Sequence, residues 1–87
     1  MKYKIVFKPS AQKHLLKLDK TTQVRIGKKL LFYLKQKDTL SYAVKMSDST
    51  LDGEYRFRIG EYRVVFDVKG EKIIILKVQH RRDVYKN

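Results

Sequence analysis

The chain closes on "VQHRRDVYKN", and from position 80 to position 85 that stretch gathers His80, Arg81, Arg82 and Tyr85. Upstream, "EYRFRIGEYRVV" carries Arg56, Arg58 and Arg63. A guanidinium is planar, permanently charged and forked, so it holds phosphate oxygens in pairs. An imidazole or a phenol can give or take a proton. Such a set suits cleavage of an RNA phosphodiester, in which the ribose 2′-hydroxyl attacks the adjacent phosphate while the protein positions the strand and neutralises charge without a metal. Each residue also has a plainer reading. The arginines could be solvated strand residues paired with Glu54, Glu61 and Asp67, His80 a half-buried residue at a strand end, and Tyr85 an aromatic that packs the tail onto the domain.

The elements that must position these groups are legible from periodicity. Residues 2 to 8 put Tyr3, Ile5 and Phe7 on one face with Lys4 and Lys8 opposite, which predicts a first strand. Pro9 and Ser10 open a helix, either as first-turn proline or as cap, and Ala11, Leu15 and Leu18 recur at helical spacing as far as Asp19. From "DKTTQ" a second helix follows, with Thr21 or Thr22 as candidate cap and an apolar stripe of Val24, Ile26, Leu30, Leu31 and Leu34 to about residue 36. Residues 37 to 53 lack a sustained period and predict a connection with an extra helical turn around Tyr42 to Met46. Three strand-like runs then end the chain, with Gly60 and Gly70 in the tight connections. "KIIILKVQ" is apolar on both faces and is the candidate for the sheet centre.

Strict alternation ties this pattern to the chemistry. If Tyr55, Phe57, Ile59, Tyr62, Val64 and Phe66 face the helices, then Arg56, Arg58 and Arg63 share the opposite face of the sheet. Three arginines on one face repel one another unless acids or a ligand compensate. The last strand lies beside these two in a meander, so His80, Arg81 and Tyr85 are expected at the sheet edge, where one groove could hold them all. The expected architecture is a single α+β domain over 1–87: N-terminal strand, antiparallel helical hairpin, then a three-stranded antiparallel meander, with the helices packed on one sheet face.

Bulk properties narrow the partner. Lys and Arg number 21 against nine acids in 87 residues, a formal charge of +12 that draws polyanions or an acidic protein. Between residues 12 and 37 eight basic residues face one acid, Asp19, so the helical hairpin is densely positive, with Lys28 and Lys29 as candidate RNA contacts beside Arg82 of the tail. A lysine-rich surface without a ligand would give the same count. There is no cysteine, which removes disulfides and thiolate metal sites. No apolar run is long enough for a signal peptide or a membrane span, and the expected setting is the cytoplasm.

The order of two helices followed by "LDGEYRFRIGEYRVVFDVKGEKIIILKVQHRRDVY" resembles the RelE/ParE superfamily of toxins from toxin–antitoxin pairs, and within it the RelE branch. The motifs that carry the likeness are "L-x-G" before "YRFRIGEYRVVF" and the closing "HRRDVY"; the helices match in pattern. The resemblance implies a RelE-like fold and a metal-independent, cofactor-free mRNA endonuclease (interferase). Such a toxin enters the ribosomal A site, cuts the message to a 2′,3′-cyclic phosphate or its opened 3′-phosphate and a 5′-hydroxyl, and so stops translation. It also implies an acidic, RelB-like antitoxin that wraps the toxin, with the pair often repressing its own operon. Position by position, Arg56 and Arg58 match two basic residues that are often lysines in RelE-like toxins, Arg63 the phosphate-stabilising arginine, Arg81 the arginine after the last strand, and Tyr85 the tyrosine near the C-terminus. Arginine does not exchange protons near neutrality, so the acid or base duty moves here to Tyr85 or His80, with Glu54 as a weaker base. Two other readings compete: a ParE-like inhibitor of DNA gyrase without nuclease activity, and a nucleic-acid-binding module without toxicity.

Overall fold

The computed structural model of the chain describes residues 2–46 and 53–84. β1 (Lys4–Phe7) turns Ile5 and Phe7 inward and leaves Lys4 and Val6 exposed. Pro9 then opens α1 (Pro9–Leu16) as the first helical residue, where its missing N–H has no cost; Lys8 is the cap position and makes no side-chain capping bond. The cap of α2 (Lys20–Lys35) is Asp19 rather than Thr21 or Thr22. Asp19 Oδ2 accepts from the Thr22 backbone N–H at 3.2 Å and Oδ1 from the Thr22 hydroxyl at 2.6 Å, so Thr22 serves the cap as a donor from inside the first turn. These two bonds, the hydroxyl's first, hold the Asp19 carboxyl below its ordinary range.

The connection after α2 also differs from expectation. Its helical turn is a 3-10 turn over Thr39–Tyr42, and Val44–Lys45 form a two-residue edge strand, β2, antiparallel to β3. β3 (Tyr55–Ile59), β4 (Tyr62–Lys69) and β5 (Lys72–His80) make the meander, and Gly60 and Gly70 supply the positive φ, 59° in both, that its two tight turns need. β1 pairs with β5 in parallel, giving a mixed sheet in the order β1-β5-β4-β3-β2. The central strand is therefore β4 and not β5, because β2 extends the sheet beyond β3.

Both helices lie on one face. Ile26, Leu30 and Tyr33 of α2 and Ala11 of α1 join Phe57, Ile59, Val64, Phe66, Ile73, Ile75 and Val78 in a single core. A column of rings runs through it: Tyr33 stacks on Phe57 at 4.5 Å and Phe57 on Phe66 at 4.6 Å between centroids. β5 outruns β1, which ends at the pairing of Phe7 with Ile75, and α1 covers the uncovered edge. His14 Nδ1 accepts from the Val78 N–H at 3.3 Å and Ser10 Oγ donates to the Leu76 carbonyl at 3.5 Å, so two side chains one helical turn apart replace a missing strand.

One irregularity matters for everything downstream. Val65 pairs with Lys77 but Phe66 with Ile75, which leaves Leu76 as the extra residue of a β-bulge. Inward positions on β5 therefore change from Ile73 and Ile75 to Val78, from odd to even numbers. On the opposite face of the sheet Val65 is fully buried, because the backbone of Gly53 crosses over it at φ 128°; a Cβ there would meet Val65 Cγ1 at 2.6 Å. No helix among the described residues is long and apolar enough to cross a membrane.

Candidate active site

The β3–β4 hairpin sets out the arginines. Phe57, Ile59 and Val64 are buried in the core, so Arg56, Arg58 and Arg63 project from the other face, with Arg58 directly opposite Arg63 in the ladder. Arg81 joins them from the chain's far end. β5 finishes at His80, paired with Tyr62, and α3 (Arg81–Val84) starts at once. The Arg81 backbone N–H donates to the Glu61 carbonyl at 2.6 Å, which ties the start of α3 to the β3–β4 turn.

The result is an open groove of about 190 Å³ lined by Arg56, Arg58, Gly60, Glu61, Tyr62, Arg63 and Arg81. Among the described residues that line it, four are arginines and one, Glu61, carries a carboxylate. Glu61 Oε1 stands 3.8 Å from Arg81 Nη1, with both side chains more than half exposed, a pairing that a better anion can readily replace. Arg63 Nε is buried and has no hydrogen-bond partner among the described residues. A buried unpaired N–H costs about 1–3 kcal/mol.

The other expected residues divide. His80 stands apart from the groove lining, on the face of Tyr62, whose ring it meets edge-on at 5.0 Å, while its Nδ1 accepts from the Arg82 N–H at 3.0 Å. Alternation counted from Ile73 and Ile75 would put His80 on the arginine face; the bulge at Leu76 reverses the parity and gives that place to Gln79, the partner of Arg63. Glu54 is used in the sheet: its Oε1 accepts from the Val68 N–H at 3.1 Å, and its own N–H donates to Asp67 Oδ1 at 2.9 Å. Arg82 is exposed on α3, and Lys28 and Lys29 line a separate cavity on α2. Tyr85 lies outside the described residues. Glu61 and Tyr62 are groove residues that periodicity does not single out; the signal for them is their place in the turn "IGEY" between two arginine-bearing strands.

The chain is similar in structure to the Mycobacterium tuberculosis RelBE2 toxin–antitoxin complex, with a TM-score of 0.75 and 23% identity over 93% of this chain and 100% of that one. It is also similar to the Pyrococcus horikoshii RelE–RelB complex, with a TM-score of 0.71 and 27% identity over 93% of this chain and 97% of that one. No curated protein sequence matches it significantly. The family model for the ParE toxin of the parDE type II toxin–antitoxin system matches residues 5–85, nearly the whole chain. The chain therefore belongs to the ParE toxin family, within the RelE/ParE superfamily, and is the toxin component of a type II toxin–antitoxin system.

Proposed function

We propose that this toxin is a ribosome-dependent mRNA endonuclease whose arginine groove holds the scissile phosphate. The observation that carries the reading is the buried Arg63 Nε, without a partner among the described residues, in a groove with three further guanidiniums. Fixed donors of this kind stabilise the charge that grows on a phosphorane without reorganising at the moment of reaction. The 2′-oxygen bonds to phosphorus, the P–O5′ bond breaks, and the proton lost by the 2′-hydroxyl is matched by one delivered to O5′. The products are a 2′,3′-cyclic phosphate and a 5′-hydroxyl. Arg56, Arg58, Arg63 and Arg81 hold the phosphate. Tyr85, four positions beyond Arg81, is the proton-transfer group of this proposal. The partner that neutralises the toxin is an acidic antitoxin, in keeping with its net charge of +12.

The matching ParE model favours a second reading, inhibition of DNA gyrase by binding alone. One experiment separates them. Purified toxin is added to a translating cell-free extract, where message ends are mapped by primer extension, and in parallel to a gyrase supercoiling reaction. Discrete ribosome-dependent cuts with normal supercoiling support the nuclease; intact message with inhibited supercoiling supports the alternative.

A further inference from the structure

β5 hands over to α3 at His80, and the first N–H groups of any helix have no partner within it. In α3 the first two belong to Arg81 and Arg82. The Arg81 N–H donates to the Glu61 carbonyl at 2.6 Å and the Arg82 N–H to His80 Nδ1 at 3.0 Å, so both are satisfied. His80 thus stands where a serine or asparagine ordinarily caps a helix, with a ring nitrogen in place of the side-chain oxygen. Acceptance at Nδ1 fixes the neutral tautomer that keeps its proton on Nε2. The ring itself is held in place: it is half-buried and meets Tyr62, its partner in the ladder, edge-on at 5.0 Å. Tyr62 in turn packs against the core and lines the arginine groove.

Arg81 differs from the other groove arginines in its support. Arg56, Arg58 and Arg63 project from paired strands, whereas Arg81 projects from the first position of a four-residue helix and is 70% exposed. A helix so short does not hold itself together. We propose that His80 is the positioning residue for Arg81: its imidazole caps α3 and so fixes the backbone from which the Arg81 guanidinium reaches the groove, and it transfers no proton. The inference rests on the nuclease reading for the work that Arg81 does in the groove, and on the capping bond for the rest.

The test uses the full-length toxin with His80→Leu, His80→Asn or Arg81→Ala, and with His80→Leu and Arg81→Ala combined. Message cleavage is measured in a translating extract, and amide hydrogen exchange at Arg82 by NMR. His80→Leu, which has no acceptor, is expected to cleave about fivefold more slowly and to exchange the Arg82 amide about fivefold faster, the worth of one capping bond. His80→Asn offers an amide oxygen to the same N–H and exchanges no proton near neutrality, and it is expected to restore both. In the Arg81→Ala background, His80→Leu should cost nothing further, because it acts through the residue already removed. Three results overturn the proposal: His80→Leu cleaves like wild type; His80→Asn protects the Arg82 amide yet cleaves as slowly as His80→Leu, which makes the imidazole a proton-transfer group; or the effects of His80→Leu and Arg81→Ala multiply. Should His80→Leu not fold, as judged by circular dichroism, the nitrogen NMR spectrum of the wild-type imidazole replaces it, and a proton on Nδ1 at neutral pH overturns the cap. If wild-type toxin leaves message intact, the nuclease reading fails and exchange at Arg82 decides this one: equal rates in wild type, His80→Leu and His80→Asn overturn the cap.

Discussion

Replacing Arg63 with methionine is expected to make the protein more stable and less toxic at once. Methionine keeps an unbranched apolar stem and removes the guanidinium. The fold leaves Arg63 Nε buried without a partner among the described residues and sets Arg63 directly across from Arg58. Relief of an unsatisfied donor is worth about 1–3 kcal/mol, and removal of a facing like charge about 0.2–1 kcal/mol. Against this stands the lost packing of the wider guanidinium plane, so a net gain of about 1–2 kcal/mol is expected. For a domain of this size that corresponds to a rise in Tm of at least about 4 °C. The assay is a thermal melt of wild type and Arg63→Met with and without a short RNA carrying a 2′-deoxy substitution at the cut. Ligand should raise the melting temperature of the wild type and leave that of the variant nearly unmoved, with cleavage lost. A variant that melts lower than wild type, or one that gains stability from RNA equally well, would refute the view that Arg63 is held unsatisfied for a phosphate.

Three further outcomes are expected. Gly53→Ala should destabilise by about 2–4 kcal/mol in urea unfolding, since φ 128° is closed to alanine and its Cβ would stand 2.6 Å from Val65 Cγ1; wild-type stability would contradict the crossing of residue 53 over the sheet. His14→Leu should cost about 1–3 kcal/mol by leaving the Val78 N–H without its acceptor, and amide exchange at Val78 should rise in step. Acidification tests Asp19: its folded value lies below the ordinary 3.8, so its stabilisation is present above 3.8 and fades as pH falls through the lowered value. Asp19→Asn, which keeps an acceptor and does not titrate, should flatten that part of the acid unfolding curve, and an unchanged acid limb would argue against the cap.

The helical hairpin, the first strand and the meander are legible because each has a clean period and a strong boundary residue, Pro9, Asp19, Gly60 or Gly70. The shared face of Arg56, Arg58 and Arg63 is legible for the same reason, since alternation is regular along β3 and along the start of β4 and the two-residue turn pairs Ile59 with Tyr62 on one face. His80 shows where such reasoning stops. One inserted residue, Leu76, moves it to the other side of the sheet, and a bulge in an unbroken run of "IIILKV" leaves no mark in composition. The two-residue strand Val44–Lys45 is too short to carry a period, and Glu54, a base candidate by type, turns out to cap the β4 backbone at Val68. The outward stripe of α2 was visible as Val24 and Leu31 in one apolar list with Ile26 and Leu30; the helix's rotation separates the two faces.

The central claim is that the arginine groove cuts message on the ribosome. Its most direct test is to sequence RNA bearing 5′-hydroxyl ends from a translating extract after adding wild-type toxin or Arg81→Ala. Arg81 is the groove arginine supplied by the chain's end, 70% exposed and replaceable without disturbing the core. The account predicts new 5′-hydroxyl ends inside coding sequence, dependent on active ribosomes and reduced at least about tenfold by the substitution, in line with the loss of one charge-stabilising donor. Message that stays intact under wild-type toxin while growth still stops would contradict it.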